Sequence, residues 1–303
     1  MRRTNVKFFK SLTPYVYCSP FFLMMAGFMI LPFILNIVLS FTNYSMTKTT
    51  MEFIGLKNYE TVLLNDNTWD SVRLTIIFVI GIVIFTMLIG VLYAFVMSFN
   101  IKGINFLKAI ILLPWIIPES VTAYIWKWIF SADSGIIYFW LLNLGIIDSN
   151  TSFFADGALA MVMVIMANVW RTAPFVAIMT YAQLKTIPKN HTEAAQIDGA
   201  NGLKVFLHIT IPWLIPILKR CAILLFVWSF NSFTIIYILT NGGPAGATTT
   251  LPYLIRQTAF NNFNFGQATA LSTLSLIIVV VCMAIASIIL KVSVKMFKKG
   301  GRY

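Results

Sequence analysis

Polar residues in this chain are grouped between long apolar runs; they do not alternate with apolar ones. A helical run of about 20 apolar residues is long enough to cross roughly 30 Å of hydrocarbon. Six such runs occur, over 14–41, 72–97, 107–130, 158–182, 212–240 and 269–291. They predict an all-α integral membrane protein of about six transmembrane helices. On this reading residues 1–13 form an N-terminal segment, 14–303 a single transmembrane domain, and 183–211 the loop between its fourth and fifth runs. The first run comes after Arg2, Arg3, Lys7 and Lys10. It is too long for the apolar core of a signal peptide and has no clear small-residue cleavage site behind it. It reads as a retained span.

Composition agrees. Of 303 residues, 59% are apolar and 11% charged, against about 25% charged in a soluble domain. So few charges cannot coat a water-facing body of this size. Disorder, a secreted disulfide scaffold and a soluble enzyme are excluded. Cys18, Cys221 and Cys282 lie far apart within apolar runs. They have no metal-ligand spacing and read as buried small side chains.

The net charge of +12 raises the question of nucleic acid, and the placement of the charges answers it. Sixteen of the 22 Lys and Arg residues fall in the N-terminal segment, the 98–108 and 183–211 loops with their flanks, and the C-terminal tail. The intervening loops hold Lys48, Lys57, Arg73, Lys127 and Arg256, and Arg171 falls within the fourth run. The basic side is cytoplasmic by the positive-inside rule. Both termini then lie inside, as six crossings require. Topology and contact with anionic membrane lipid account for the charge, and no nucleic-acid role is expected.

Residues 181–216 read YAQLKTIPKNHTEAAQIDGANGLKVFLHITIPWLIP. Pro188 ends one element and opens another. His191–Asp198 is a short helix, Gly199 and Gly202 give a turn, and 203–211 is a second short helix with Val205, Phe206 and Ile209 on one patch. Pro212 and Pro216 mark the start of the fifth span. Such a helix–turn–helix at the membrane surface reads either as a docking knob or as an amphipathic loop resting on lipid. Glu193 and Asp198 would accept hydrogen bonds from a docked partner.

Within the spans, Glu119 and Arg171 stand out because ionisable groups there are expensive and usually face protein or water. Each lies about 16 Å from the inner boundary, which suggests a pair or a shared polar cavity. In the fifth span Trp228, Asn231, Ser232 and Ile235 have i, i+3, i+4, i+7 spacing. That face offers hydroxyl, amide and a flat ring to a sugar, or hydrogen bonds between helices. Tyr237 and Thr240 lie further out, in position for an outer vestibule. Trp115, Trp126, Trp128 and Trp140 read as interfacial belt and packing. Pro114 and Pro118 should kink the third span.

The string Glu193-Ala194-Ala195-x-x-Asp198-Gly199-Ala200, then Phe206, Ile209 and Ile211-Pro212, resembles the EAA loop of the permease subunits of binding-protein-dependent ABC importers. The family usually has Leu where Ile211 stands. Residues 239–271 resemble the segment after the fifth span of maltose and glycerol-phosphate permeases. The shared features are Thr240, Gly242-Gly243-Pro244, Thr248–Thr250, Ala259-Phe260, Gly266, Ala268 and Ala270. Leu113-Pro114, Gln183 with Pro188, Pro32 and Ser40-Phe41 fit as well.

The resemblance implies a type I importer permease in a bacterial or archaeal cytoplasmic membrane. It implies a second permease subunit in a heteromeric pair (a homodimer stays open), two ATPase subunits and an extracytoplasmic solute-binding protein. Glu193, Ala194, Ala195, Asp198, Gly199 and Ala200 would carry ATPase coupling. Trp228, Asn231, Ser232, Glu119, Arg171 and Tyr237 are the candidates for the solute path. The chain has no G-x-x-x-x-G-K-[S/T] loop, so ATP and Mg are expected on the ATPase partner and no cofactor or metal on this chain. The expected solute is a sugar or oligosaccharide. The alternatives are another solute such as glycerol phosphate, or an ion-coupled carrier, which commonly shows repeated halves. A membrane-embedded enzyme is disfavoured, since neither H-E-x-x-H nor G-x-S-x-G occurs.

Overall fold

The computed structural model describes residues 15–47, 50–99 and 101–300, with side chains to Ile288. The expected N-terminal segment 1–13 lies outside the described residues. Among these residues the fold is helical, with two isolated antiparallel bridges, Thr42–Phe53 and Ser45–Asn264. In chain order the helices are α1 (Tyr15–Ser40), α2 (Lys57–Leu63), α3 (Asp66–Ser98) and α4 (Ile104–Ile116). Next come α5 (Glu119–Ile129), α6 (Ile136–Asn143), α7 (Gly157–Leu184) and α8 (Lys189–Ile197). The last four are α9 (Gly202–Phe230), α10 (Thr234–Leu239), α11 (Leu251–Phe260) and α12 (Phe265–Gly300).

Five of these, α1, α3, α7, α9 and the Phe265–Ile288 part of α12, are long and apolar enough to cross a membrane. The α4–α5 pair makes up to six. Four expectations need correction. The third run is two helices bent by 102°, sharper than a kink within one crossing. Ile117 is extended (ψ 129°), because the residue before a proline is pushed out of the helical region. Pro118 then starts α5, while Pro114 stays inside α4.

The fifth run ends its long helix at Phe230, not 240, and resumes as α10 after a three-residue break. The expected short helix at 203–211 is no separate element, because it continues into that span. A π turn at Phe206–Thr210, closed by Ile211 N–H to the Phe206 carbonyl, takes up the misfit that Pro212 brings to a regular helix. Of the cysteines, Cys221 is buried, but Cys18 is exposed on α1.

The chain forms two compact units. The larger holds Asn67–Leu254 with the chain from Ile278 onward. Its centre is α7, which is 72% buried across its apolar window, against 33% for α3 and 17% for α9. Asp156 caps α7 by accepting from Leu159 N–H at 2.8 Å. Small residues let backbones approach closely. A Cβ on Gly90 of α3 would lie 2.5 Å from Val176 Cβ and 2.8 Å from the Ala173 carbonyl oxygen of α7. Phe175, Val176, Cys221 and Leu225 form the core there, packed by Val83, Met87, Val91 and Ile217. The Thr172 hydroxyl is satisfied by its own helix, as hydrocarbon demands. Thr172 Oγ1 donates to the Asn168 carbonyl at 2.7 Å and faces Thr86 Oγ1 at 3.2 Å.

The smaller unit joins the chain up to Asp66 with Ile255–Ile277. The apolar stretch of α1 has none of its residues buried. The segment after α1 is tied to α2 and to the start of α12. Asn58 Nδ2 donates to the Ser40 and Thr42 carbonyls at 2.9 and 2.7 Å. Gly266 N–H donates to the Tyr44 carbonyl at 2.9 Å. A Cβ on Gly266 would collide with the Thr42 carbonyl.

Candidate functional site

The segment between α7 and α9 is built by caps at both ends. Pro188 sits extended before α8, which begins at Lys189. At the other end Gly199 takes φ +81°, with open space around its Cα. A glycine is therefore required there by the backbone angle and not by crowding. Gly199 N–H donates to the Gln196 carbonyl and Ala200 N–H to the Ala195 carbonyl. This pair of bonds is a Schellman cap. Asn201 Oδ1 then accepts from Lys204 N–H at 2.9 Å and starts α9. Trp213 Nε1 donates to Thr186 Oγ1 at 3.1 Å, and the His191 ring lies 6.2 Å from the Trp213 ring. These contacts tie the start of α8 to the fifth span.

α8 itself buries nothing. Glu193, Ala194, Asp198 and Gly199 are exposed, Ala195 and Ala200 half-buried, and Ile197 is 87% exposed. The six residues expected to couple therefore form one projecting helix with its C-cap. An apolar side chain stands at its tip, and its start is held to the fifth span.

The second cluster lies at the two helix breaks. Glu119 is the first residue of α5, and Ser232 lies in the gap between α9 and α10. Ser232 Oγ donates to Glu119 Oε1 at 2.6 Å. Eight residues further along α5, Lys127 Nζ donates to the Ile238 carbonyl of α10 at 3.0 Å. α5 and α10 thus run side by side in the same direction, joined at both ends. Below the breaks, Trp228 packs on Phe175 (ring centroids 4.8 Å apart), and Phe175 on Trp115 (5.8 Å). Trp228 keeps 43% of its surface exposed.

Residues 86–300 match the family model described as the binding-protein-dependent transport system inner membrane component. The chain belongs to that family. It is an ABC importer permease subunit and a multi-pass inner-membrane protein. The trehalose/maltose transport system permease protein MalF of Thermococcus litoralis is 34% identical over 240 residues, 79% of either chain. The sn-glycerol-3-phosphate transport system permease protein UgpA of Agrobacterium fabrum is 28% identical over 281 residues, 92% of this chain and 95% of that one. The fold matches a chain in the crystal structure of a bacterial ABC transporter involved in the import of the acidic polysaccharide alginate. The TM-score is 0.80 and the identity 18%, covering 94% of this chain and 98% of the other.

The structure separates the predicted path residues of this permease. Glu119 and Ser232 meet. Glu119 and Arg171 form no ion pair among the described residues, and the buried Arg171 Nε has no hydrogen-bond partner. Trp228, Asn231, Ser232 and Ile235 do not share one helix face. Asn231 turns its amide back to the Val227 carbonyl at 2.8 Å, the helix stops, and Ile235 is fully buried in α10. A side chain that satisfies its own backbone competes with helix continuation, so i+4 spacing carried across residue 230 misplaces the residues beyond it. Tyr237 is 41% exposed on α10. Trp126, read as belt or packing, is buried and stacked on Phe130.

Sequence reasoning missed Phe175 and the Lys127–Ile238 link. Lys127 was visible as a lone cation at the outer end of the third run, but its acceptor is a backbone carbonyl, which leaves no trace in side-chain patterns. Nor did pattern reading find that Lys108 Nζ donates to Tyr181 OH at 2.9 Å and lies 4.7 Å from its ring centroid, joining α4 to α7.

Proposed function

We propose that this permease forms, with a second permease, the membrane path for a sugar or oligosaccharide delivered by an extracytoplasmic binding protein. Two ATPase subunits carrying ATP and Mg would drive it. The observation that carries this reading is α8: a capped, fully projecting helix whose exposed Ile197 and Glu193 need a partner to cover them. An exposed apolar side chain on a rigid helix flanked by acceptors suits a cleft in another protein. Support for the sugar comes from the trehalose/maltose and alginate systems it is similar to.

ATPase closure would push on α8. The Thr186–Trp213 contact would pass that motion to the inner ends of the fourth and fifth spans. At 117–118 and 231–233 the helices are broken, so the joined α5–α10 pair can turn without the inner halves turning equally. Glu119, Ser232, Asn231, Arg171, Trp228 and Tyr237 are proposed to line or shape the path at that level. The open face of Trp228 offers the flat apolar surface that a sugar ring's C–H face needs. The charge count supports a cytoplasmic α8 and cytoplasmic termini.

The test is co-purification of the tagged chain from its native membrane in mild detergent, with uptake of labelled saccharides by the reconstituted complex. An ATPase and a second permease retained by the wild type, and an ATPase lost when Gly199 is replaced by Glu, are the expected results. A chain that purifies alone under every nucleotide condition would overturn the reading.

A further inference from the structure

The smaller unit contains a polar basin of about 520 Å³ that the coupling and path residues do not touch. It is lined by residues from the loop after α1, from α2, and from the turn leading into α12. Five of its side chains are carboxamides, three carry hydroxyls, and Glu52 and Lys57 cancel in charge, leaving Ile54 as its one apolar side chain.

Part of this lining is fixed and part is open. Asn58, 5% exposed, spends both amide hydrogens on the Ser40 and Thr42 carbonyls. Asn43 exchanges two bonds with Glu52, accepting from its N–H at 2.8 Å and donating to its carboxylate at 3.3 Å. Ser45 Oγ donates to the Phe263 carbonyl at 2.8 Å. The walls are therefore held largely by backbone carbonyls and one backbone N–H before any ligand arrives. By contrast, the side-chain amides of Asn262 and Gln267 and the Lys57 ammonium make no hydrogen bond among the described residues, and they line the same space.

That balance sets the ligand class. An anion would call for excess cations, a metal for clustered carboxylates, and a lipid chain for apolar walls. A neutral lining of amides and hydroxyls, each able to donate and accept, suits a molecule whose hydroxyls do the same. We propose that the basin binds a saccharide unit on the extracytoplasmic side of the smaller unit, as a weak holding site that shares no residue with the path candidates. Chain order puts 42–66 and 261–264 on one side of the membrane, the side the charge count assigns outward. The proposal rests on the sugar reading above. The saccharide comes either from the free solute or from the glycan of a lipid, and both present the same hydroxyls.

The experiment places the full chain, with its co-purifying subunits, in nanodiscs of phosphatidylethanolamine and phosphatidylglycerol. Saturation-transfer NMR is recorded with maltose, trehalose and cellobiose, and again with a glycosylated lipid in the disc. A saturable signal from at least one disaccharide is expected, weakened about tenfold or more by Asn262→Ala with Gln267→Ala, since each removes open donors and acceptors. Uptake by the double variant should show a raised KM with unchanged kcat, the mark of lost ground-state binding. A signal seen only with the glycolipid assigns the basin to lipid glycan. No saturable signal from any probe, or one the double variant retains, overturns the basin. If saccharide uptake persists in that case, the importer reading survives alone. If the basin binds but no saccharide is transported, the reading of the transported solute as a sugar falls and the basin stands.

Discussion

α7 and α8 are consecutive helices joined by four residues, yet they meet opposite fates. α7 is 72% buried across its apolar window, and α8 buries nothing. α7 is stabilised by its own chain: glycines opposite it admit close backbone contact, and Phe175 and Val176 complete a core shared with α3 and α9. α8 is held near its ends, by Pro188 and the contacts of Thr186 and His191 with Trp213 at the start and by the Gly199 cap at the other end. The difference teaches how to divide the chain. Where neighbours from the same chain supply the packing, substitutions act on folding. Where nothing does, they should act on assembly and transport.

Four substitutions break or sharpen that contrast. Gly90→Leu should have the largest effect. The new side chain meets Val176 and the Ala173 carbonyl, and overpacking of this kind costs about 3 kcal/mol. Thermal unfolding in detergent should show a large drop in Tm with loss of monodisperse protein; a wild-type melting curve would refute the close-packing account. Next, Glu119→Ala removes the acceptor for Ser232 and should cost about 1–2 kcal/mol. A double-mutant cycle with Ser232→Ala should give a coupling energy above about 0.5 kcal/mol, and additive single effects would separate the two breaks. Gly199→Val strains a residue at positive φ by about 1–2 kcal/mol without touching α7. The melting curve should move little, while solute-stimulated ATP hydrolysis in the reconstituted complex should fall several-fold. Last, Ile197→Ser should change stability by no more than about 0.5 kcal/mol and still weaken ATPase retention. Equal loss of stability and retention would mean that α8 is packed after all.

Much of this was legible in the residues. Apolar runs located most of the long helices to within several positions, because hydrocarbon thickness sets a length that a chain cannot evade. The exceptions were the third, which is two helices bent by 102°, and the fifth, whose long helix starts at Gly202 and stops at Phe230. The short helix before Gly199 was readable too, since a proline at one end and a glycine at the other are local backbone constraints. Less readable was anything that crossed a break. A helical spacing of Trp228, Asn231 and Ser232 assumes one uninterrupted helix, and Asn231 stops it by bonding to Val227. Equal depth suggested a Glu119–Arg171 pair or a shared polar cavity, but depth fixes only one coordinate, and Glu119 accepts from Ser232 in the break between α9 and α10.

By itself, then, the sequence determined the class of the protein, its membrane helices and the projecting α8, because each depends on hydropathy or on the φ and ψ of a few neighbouring residues. Only the tertiary structure decided the 102° break, the joined α5–α10 pair and the polar basin between the loop after α1 and the start of α12. Those depend on which distant backbone carbonyl or side chain a group finds, such as Ile238 for Lys127 or Thr42 for Asn58. A hydrogen bond between positions far apart in the chain leaves no periodic mark in either segment.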